Sequence, residues 1–262
     1  MSGQGARLRF MTAERRGKIR LKIISCNVMQ RELCHCVSRS PNRIDIEFLH
    51  QGLHEFPERL NRTVQDALDR VEAGSCDYIL LNYGHCGNGI MNIGHPDLPV
   101  VIHNVPDCVP LLIGDRLKHE AYMKKRPGTF WFSPGWIDGF PLPGSPDYAE
   151  KYDEFYGISV TERQRDGIER VLMTNYTHLT YITWKVLGER VASRGREYTK
   201  KCVDSLNNRL GMGMSYDEVE GDPGLLQRFV DGAWESGDYL VLQPGERAKL
   251  DPVKCRLYAE RD

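Results

Sequence analysis

The chain has 262 residues and a formal net charge of −1 at pH 7, with 35 Lys and Arg residues against 36 Asp and Glu. Its 40% hydrophobic and 27% charged composition is typical of a globular domain, which excludes a disordered chain. The charge balance lacks the basic excess of proteins that bind nucleic acid, and neither a long apolar run nor a secretory signal occurs, so we expect a cytoplasmic protein without nucleic-acid or membrane partners.

Short apolar runs rich in Val, Ile, Tyr and Phe predict strands in the first half of the chain. They lie at residues 19–25, 44–49, 78–83, 99–103 and 129–133. A helix is predicted between the second and third strands, starting near Pro57 and ending at Gly74, and short helices are predicted at 27–37 and 107–117. This alternation predicts an α/β fold with a mostly parallel, Rossmann-like sheet flanked by helices, in one or two lobes.

The second half starts with a segment of different character. Residues 134–147 carry four prolines and three glycines, which predicts a long surface loop and a candidate lid. Helices are predicted at 148–173, 194–210 and 224–234, strands at 178–184, 215–219 and 238–243, and a turn at 244–246. We therefore divide the chain into an N-terminal tail (1–17), a cysteine-bearing α/β lobe (18–147) and a second lobe that is helical and α/β (148–262).

Three of the eight cysteines follow predicted strands. Cys26 ends the first strand, Cys86 lies in the GHCGNG segment after the third, and Cys108 follows the fourth. Because the carboxyl ends of parallel strands meet at one edge, these thiols are expected to converge. Thiolates suit zinc, iron or an iron–sulfur cluster, and three protein ligands leave one position open for a substrate. The other five cysteines are interpreted as structural.

Four further residues are candidates for catalysis. His54 is the best additional donor, because its strand end opens onto the same edge. His85 adjoins Cys86 and His103 closes the fourth strand, so either is a candidate base; a metal-free mechanism with a nucleophilic Cys86 ranks last, because adjacent residues rarely point at one another. Asp107 is interpreted first as a helix N-cap and second as a group that orients a ligand.

The glycine-rich segment and a nearby tryptophan are candidates for cofactor binding. Gly84, Gly87, Asn88 and Gly89 would allow positive φ and offer backbone N–H groups to an anion at a helix start. The nucleotide interpretation is weak, because neither the full GxGxxG context nor a GK[ST] motif is present. Trp136 is expected either to pack under the proline-rich loop or to form the wall of a pocket for a flat ligand.

Short motifs spread over residues 20–247 carry a family resemblance. In this chain they are Cys26; Leu53, His54 and Pro57; Tyr83, Gly84, Cys86 and Gly87; Asp107, Cys108 and Gly114; Thr129, Pro134, Gly135 and Trp136; and Pro244, Gly245 and Glu246. The sequence resembles a large prokaryotic family described as a domain of unknown function. It departs from the family pattern at His103-Asn104-Val105, where an arginine is expected. The resemblance implies a setting of anaerobic one-carbon metabolism, near corrinoid-dependent methyltransferases.

Three functions follow as hypotheses. The first is a metal-dependent enzyme of methyl-transfer metabolism that uses the three-cysteine site. The second is a lyase or hydratase with an iron–sulfur cluster, and the third is a non-catalytic accessory protein that binds a metal, a corrinoid or another tetrapyrrole. The expected partners are a small-molecule substrate and a corrinoid protein, and the sequence leaves a homo-oligomer open.

Overall fold

The computed structural model describes residues 18–235 and 237–261, so the predicted N-terminal tail lies outside the described residues. In chain order, the strands are β1 (Arg20–Cys26), β2 (Arg43–Leu49), β3 (Tyr78–Asn82), β4 (Val100–His103), β5 (Thr129–Phe132), β6 (His178–Thr183), β7 (Ser215–Glu220), β8 (Tyr239–Leu242), β9 (Glu246–Asp251) and β10 (Arg256–Arg261). The helices are α1 (Gln30–Val37), α2 (Pro57–Asp69), α3 (Val109–Ile113), α4 (Arg116–Lys125), α5 (Pro134–Gly139), α6 (Tyr148–Tyr156), α7 (Glu162–Leu172), α8 (Glu189–Leu210) and α9 (Gly224–Asp231).

The larger sheet has the strand order β2-β1-β3-β4-β8. Its first four strands are parallel, and β8 pairs antiparallel with β4. The chain moves from β1 to β2 on one side and then crosses to β3 on the other, so the direction of winding reverses at β1. A reversal of this kind opens a crevice between the carboxyl ends of the two central strands, where α/β proteins bind ligands.

The smaller sheet has the order β5-β6-β7 and is parallel throughout. Strands β9 and β10 form a separate antiparallel hairpin. Buried apolar residues form one core around the larger sheet and a second core between the smaller sheet and α8. The mixed α/β fold with mostly parallel strands flanked by helices is therefore confirmed.

The helices form where the sequence places apolar residues at helical spacing. In α2, the apolar residues Leu60, Val64, Ala67 and Leu68 are fully buried, and Pro57 occupies the first turn. No helix in the described part of the chain combines the length and apolarity that a membrane span requires.

Several local predictions were wrong. The segment 134–147 begins with a helix, α5, because Pro134 suits a first turn and Ser133 accepts a hydrogen bond from the Trp136 backbone N–H. The predicted helix at 148–173 is two helices, separated at Gly157, where φ is +67°. The hairpin β9–β10 was not predicted, because its strands carry charged residues on a weakly alternating pattern.

The two sheets do not divide the chain at residue 147. Strand β5 precedes that position and pairs in the smaller sheet, whereas β8 follows it and pairs in the larger one. The chain thus leaves the larger sheet after α4 and returns to it near the C-terminus.

Candidate functional site

The structure brings Cys26, Cys86 and Cys108 to one cavity of about 350 Å³. Cys26 is the last residue of β1, Cys86 lies in the loop after β3, and Cys108 directly precedes α3. The first two side chains are buried and the third is half-buried. The cavity lies at the carboxyl ends of β1, β3 and β4, where the strand order predicts a ligand crevice.

The loops that carry Cys86 and Cys108 are bound to each other. The backbone N–H of His85 donates to the Val105 carbonyl at 2.8 Å, and that of Cys86 donates to the Pro106 carbonyl at 2.9 Å. Gly84 allows this contact, because a Cβ atom there would lie 2.6 Å from the Asp107 backbone. Cys86 itself has a φ of +44°, a strained conformation for a residue with a side chain and one that clusters at functional sites.

A second close approach brings the aromatic wall of the cavity against the larger sheet. A Cβ atom at Gly135 would lie 1.8 Å from the Val28 carbonyl oxygen, so the start of α5 lies directly against the backbone that follows Cys26. Trp136 comes next and lines the cavity. The remaining wall is mostly apolar, and its aromatic members are Phe130, Trp131, Trp136, Phe140 and Tyr176.

The three thiols are held in a setting that favours the protonated form. Burial raises the pKa of Cys26 to about 11, although a backbone hydrogen bond at Val28 lowers it in part. Burial also raises the pKa of Cys86 and of Cys108, and the neighbouring thiols raise both further. A neutral thiol is a weak nucleophile, so the setting does not favour Cys86 as a free thiolate.

Two polar groups on residues that line the cavity have no hydrogen-bond partner in the described part of the chain. They are the Tyr83 hydroxyl and the Gln51 side-chain nitrogen, both buried. Burial raises the pKa of Tyr83 well above its ordinary value, and the charges of Cys26, Cys86 and Cys108 would raise it further. Sequence reasoning gave neither residue a role at the site, although Tyr83 stands directly before the Gly-x-Cys-Gly motif.

Asp107 and His54 also line the cavity. One Asp107 carboxylate oxygen accepts a hydrogen bond from the Val109 N–H at 2.8 Å. The residue at the N-cap of α3 is Cys108, so Asp107 lies one position before the N-cap, which the sequence predicted it to occupy. The His54 side chain is exposed to solvent in part. Its neighbours shield the imidazole ring from water, and this desolvation lowers its pKa from 6.5. Its imidazole is therefore mostly neutral at pH 7 and able to accept a proton.

His103 and His85 do not line the cavity. His103 Nε2 lies 3.0 Å from Asn82 Oδ1, the ring packs 3.9 Å from that of Phe229, and burial lowers its pKa to about 3. His85 Nε2 lies 3.4 Å from Asn104 Oδ1. Both side chains are buried on other partners because neighbouring residues of an extended strand or its exit point in different directions.

Asn104 lies in the loop after β4 and binds the backbone of β10. Its Oδ1 accepts a hydrogen bond from the Leu257 N–H at 2.8 Å, and its Nδ2 donates to the Leu257 carbonyl at 3.3 Å. The amide therefore fixes the hairpin β9–β10 to the loop after β4, which is a structural role.

The glycine-rich segment is only partly at the site. Gly87 lines the cavity with a φ of +64°, while Asn88, with a φ of +71°, is exposed in a separate open groove beside α2. Gly84 and Gly89 do not have positive φ, and Gly89 is needed because a Cβ atom there would lie 2.5 Å from Leu60 Cδ2. Turns rather than a helix follow this segment, so the expectation that a helix starts here and offers its N–H groups to an anion was wrong.

Within residues 18–235 and 237–261, no group of three or more His, Cys, Asp and Glu side chains is arranged so that it could hold a metal ion as it stands. The three thiols share the cavity, but they are not gathered around one point.

Comparison with known proteins identifies a family and nothing closer. A family model described as "Protein of unknown function (DUF1638)" matches residues 48–230. No curated protein and no solved structure matches the chain.

Proposed function

The chain belongs to the DUF1638 family, and we propose that it is a metal-dependent transferase whose Cys26, Cys86 and Cys108 thiolates bind a Zn²⁺ ion. The fourth position on the metal would face the cavity and take a substrate sulfur. The observation that carries the proposal is that three thiols from three neighbouring strand ends line a single cavity. Three protein ligands with one open position are the pattern of catalytic zinc.

Metal binding would require the thiol side chains to move. Because the present arrangement does not surround a common point, each Cys side chain would have to change its rotamer about the Cα–Cβ bond. A cation suits the cavity electrostatically, since no Lys or Arg in the described chain lines it and the raised thiol pKa values indicate that nothing else there stabilises a thiolate.

The proposed reaction is transfer of a methyl group to a small thiol. A zinc ion held by Cys26, Cys86 and Cys108 would lower the pKa of a substrate thiol and so favour its nucleophilic thiolate near pH 7. The substrate S–H bond breaks and the neutral His54 imidazole accepts the proton. The sulfur then forms a bond to the methyl carbon, and the donor keeps the electron pair of the bond that breaks. A methylated corrinoid protein in the cytoplasm is the donor class that the family resemblance suggests.

The cavity size argues for the small-substrate enzyme over the accessory protein. Small-molecule pockets range over about 300–1,000 Å³, so a cavity of about 350 Å³ lies near the lower limit. A corrinoid or another tetrapyrrole is too large to enter such a space. In the proposed reaction, the corrinoid would therefore stay on its own protein and reach the cavity from outside.

Metal analysis of the full-length chain, purified without oxygen, tests the proposal. We expect about one equivalent of zinc per chain, since one three-cysteine site holds one ion. Each of the variants Cys26→Ser, Cys86→Ser and Cys108→Ser should retain less than about a tenth of that amount, because a lost thiolate greatly weakens zinc binding. Cys202→Ser is the matched control, because Cys202 is a buried cysteine in the second core.

The same preparation distinguishes the alternatives. Iron with acid-labile sulfide and absorbance in the visible range would support the cluster enzyme instead. Metal-free protein that fails to bind added Zn²⁺ or Co²⁺, with all four variants behaving alike, would contradict any metal function for the three cysteines.

A further inference from the structure

The charge of the cavity wall restricts its ligand. Within the described chain no Lys or Arg side chain lines the cavity, whereas one carboxylate, that of Asp107, does. Desolvation lowers the pKa of His54, so the single imidazole in the wall adds little positive charge. A Zn²⁺ ion with three thiolates would carry a net charge of −1. With or without the metal, the wall therefore offers no compensation for a carboxylate or phosphate.

The two unpartnered polar groups indicate which chemical group the ligand carries. The Tyr83 hydroxyl and the Gln51 side-chain nitrogen are buried hydrogen-bond donors without an acceptor. Buried polar groups in native proteins are nearly always paired, and those that are not paired need an explanation. Because both residues line the same cavity, a ligand oxygen that accepts their hydrogen bonds explains them.

The rest of the wall favours an apolar ligand body. Six aromatic side chains, that of Tyr83 included, line the space, and the cavity of about 350 Å³ suits a ligand with few heavy atoms. Aromatic surfaces contact flat or aliphatic groups well without adding charge.

We propose that the ligand of this cavity is a small molecule without a negative charge, with an apolar body and an oxygen atom that accepts hydrogen bonds from Tyr83 and Gln51. The inference deepens the proposed function, on which it rests for the additional thiol group of the substrate. It excludes nucleotides, sugar phosphates and carboxylic acids as ligands.

Three probes of nearly the same size test the charge class without any metal. They are benzamide, benzoate and benzylammonium, titrated into the full-length chain and followed by ligand-observed NMR. Benzamide should bind at least about tenfold more tightly than benzoate, since one uncompensated charge in an apolar site outweighs a hydrogen bond. Benzoate binding as tightly as benzamide would overturn the inference.

Tyr83→Phe tests the hydrogen bond. The variant keeps the ring and removes a hydroxyl without a partner, so it should fold. It should weaken benzamide binding about fivefold to tenfold, as expected for one hydrogen bond, and leave the binding of benzylammonium, which has no oxygen acceptor, unchanged. Tyr216→Phe is the control, because that hydroxyl bonds to Glu218 away from the cavity. Equal benzamide binding by wild type and Tyr83→Phe would contradict the assigned donor.

A second titration separates this inference from the proposed function. In Co²⁺-substituted protein, 2-mercaptoethanol should change the cobalt absorption at lower concentration than mercaptoacetate. If Co²⁺ fails to bind while benzamide is still preferred over benzoate, the metal proposal fails and the ligand class stands. If Co²⁺ binds and mercaptoacetate is preferred, the ligand class fails and the metal proposal stands.

Discussion

The carboxyl edges of the two parallel sheets differ in how they are filled. At the edge of the smaller sheet, Trp184 follows β6 and is almost fully buried, and its indole N–H donates to the Leu112 carbonyl at 2.7 Å. At the edge of the larger sheet, the strand ends carry the small side chains Cys26, Cys86 and Cys108, which leave a cavity. One edge is closed by a large side chain with a satisfied polar group, and the other is open.

The cavity at the edge of the larger sheet is not a packing defect. Its backbone is held by hydrogen bonds and by close contacts at Gly84 and Gly135, so the loops around it are tightly packed. The Tyr83 hydroxyl and the Gln51 side-chain nitrogen, on two residues that line the cavity, have no hydrogen-bond partner among the described residues. A tightly built wall around unpartnered groups is typical of a ligand site, where stability is lower so that binding can be specific.

The largest expected effect on stability comes from a substitution where α5 packs against the backbone that follows Cys26. In Gly135→Ala, the new methyl group would meet the Val28 carbonyl 1.8 Å away, so we expect the free energy of unfolding to fall by about 3 kcal/mol. Gly167→Ala is the matched control, because Gly167 lies in α7 with open space around it. That variant should gain about 0.5–1 kcal/mol. Denaturant unfolding measures both, and equal stability of the two variants would contradict the close contact.

The next effect concerns the two fully buried glutamates. Glu169, in the second core, accepts hydrogen bonds from Arg209 and from the Gly144 N–H. Glu32, on α1, has no partner for either oxygen, and burial raises its pKa from 4.5 to about 7. Because the folded state then binds the proton more tightly than the unfolded chain, stability falls as pH rises from about 4.5 to about 7.

We expect the Glu32 carboxyl group to account for about 3 kcal/mol of that loss, from 1.36 kcal/mol for each unit of pKa. Unfolding measured at pH 5 and pH 8 tests this figure. The variant Glu32→Gln should lose most of the difference between the two pH values. A wild type with the same pH dependence as the variant would show that Glu32 is ionised in the folded state.

A smaller effect is expected where the edge of the smaller sheet is opened. Trp184→Phe removes part of the filling side chain and leaves the Leu112 carbonyl without its partner. The unfolding free energy should fall by about 2 kcal/mol, while zinc content stays at the wild-type level. Loss of zinc in this variant would mean that the two edges are not independent.

The smallest effect is expected at the open edge. Tyr83→Phe removes a buried hydroxyl that has no partner, so the unfolding free energy should stay the same or rise by up to about 1 kcal/mol. The same thermal or denaturant assay applies. A loss of about 2 kcal/mol or more, as expected at Trp184, would show that the hydroxyl is paired in the ligand-free protein.

The sequence predicted the larger sheet well, because its central strands β1, β3 and β4 are largely buried and read as apolar runs. It also predicted that the three strand-end cysteines would share one edge, because parallel pairing follows from the alternation of strands and helices. The direction of β8 could not be predicted, since a short apolar run has the same pattern in a parallel and an antiparallel pair.

The chemistry of the cavity was less predictable. Whether a Tyr or Gln side chain finds a partner depends on residues far along the chain, so the roles of Tyr83 and Gln51 leave no local signal. The expectation that His85 and His103 act at the site rested on a local signal that is not informative. Their closeness to cysteines in sequence says little about where their side chains point, and in the structure Asn104 and Asn82 are their partners.

X-ray absorption at the zinc edge tests the central claim most directly. The sample is the full-length chain loaded with one equivalent of Zn²⁺ in the absence of oxygen. We expect three sulfur ligands at about 2.3 Å and one lighter ligand at about 2.0–2.2 Å, with one sulfur lost in Cys86→Ser and none lost in Cys202→Ser. A zinc ion surrounded by nitrogen and oxygen alone would contradict the account.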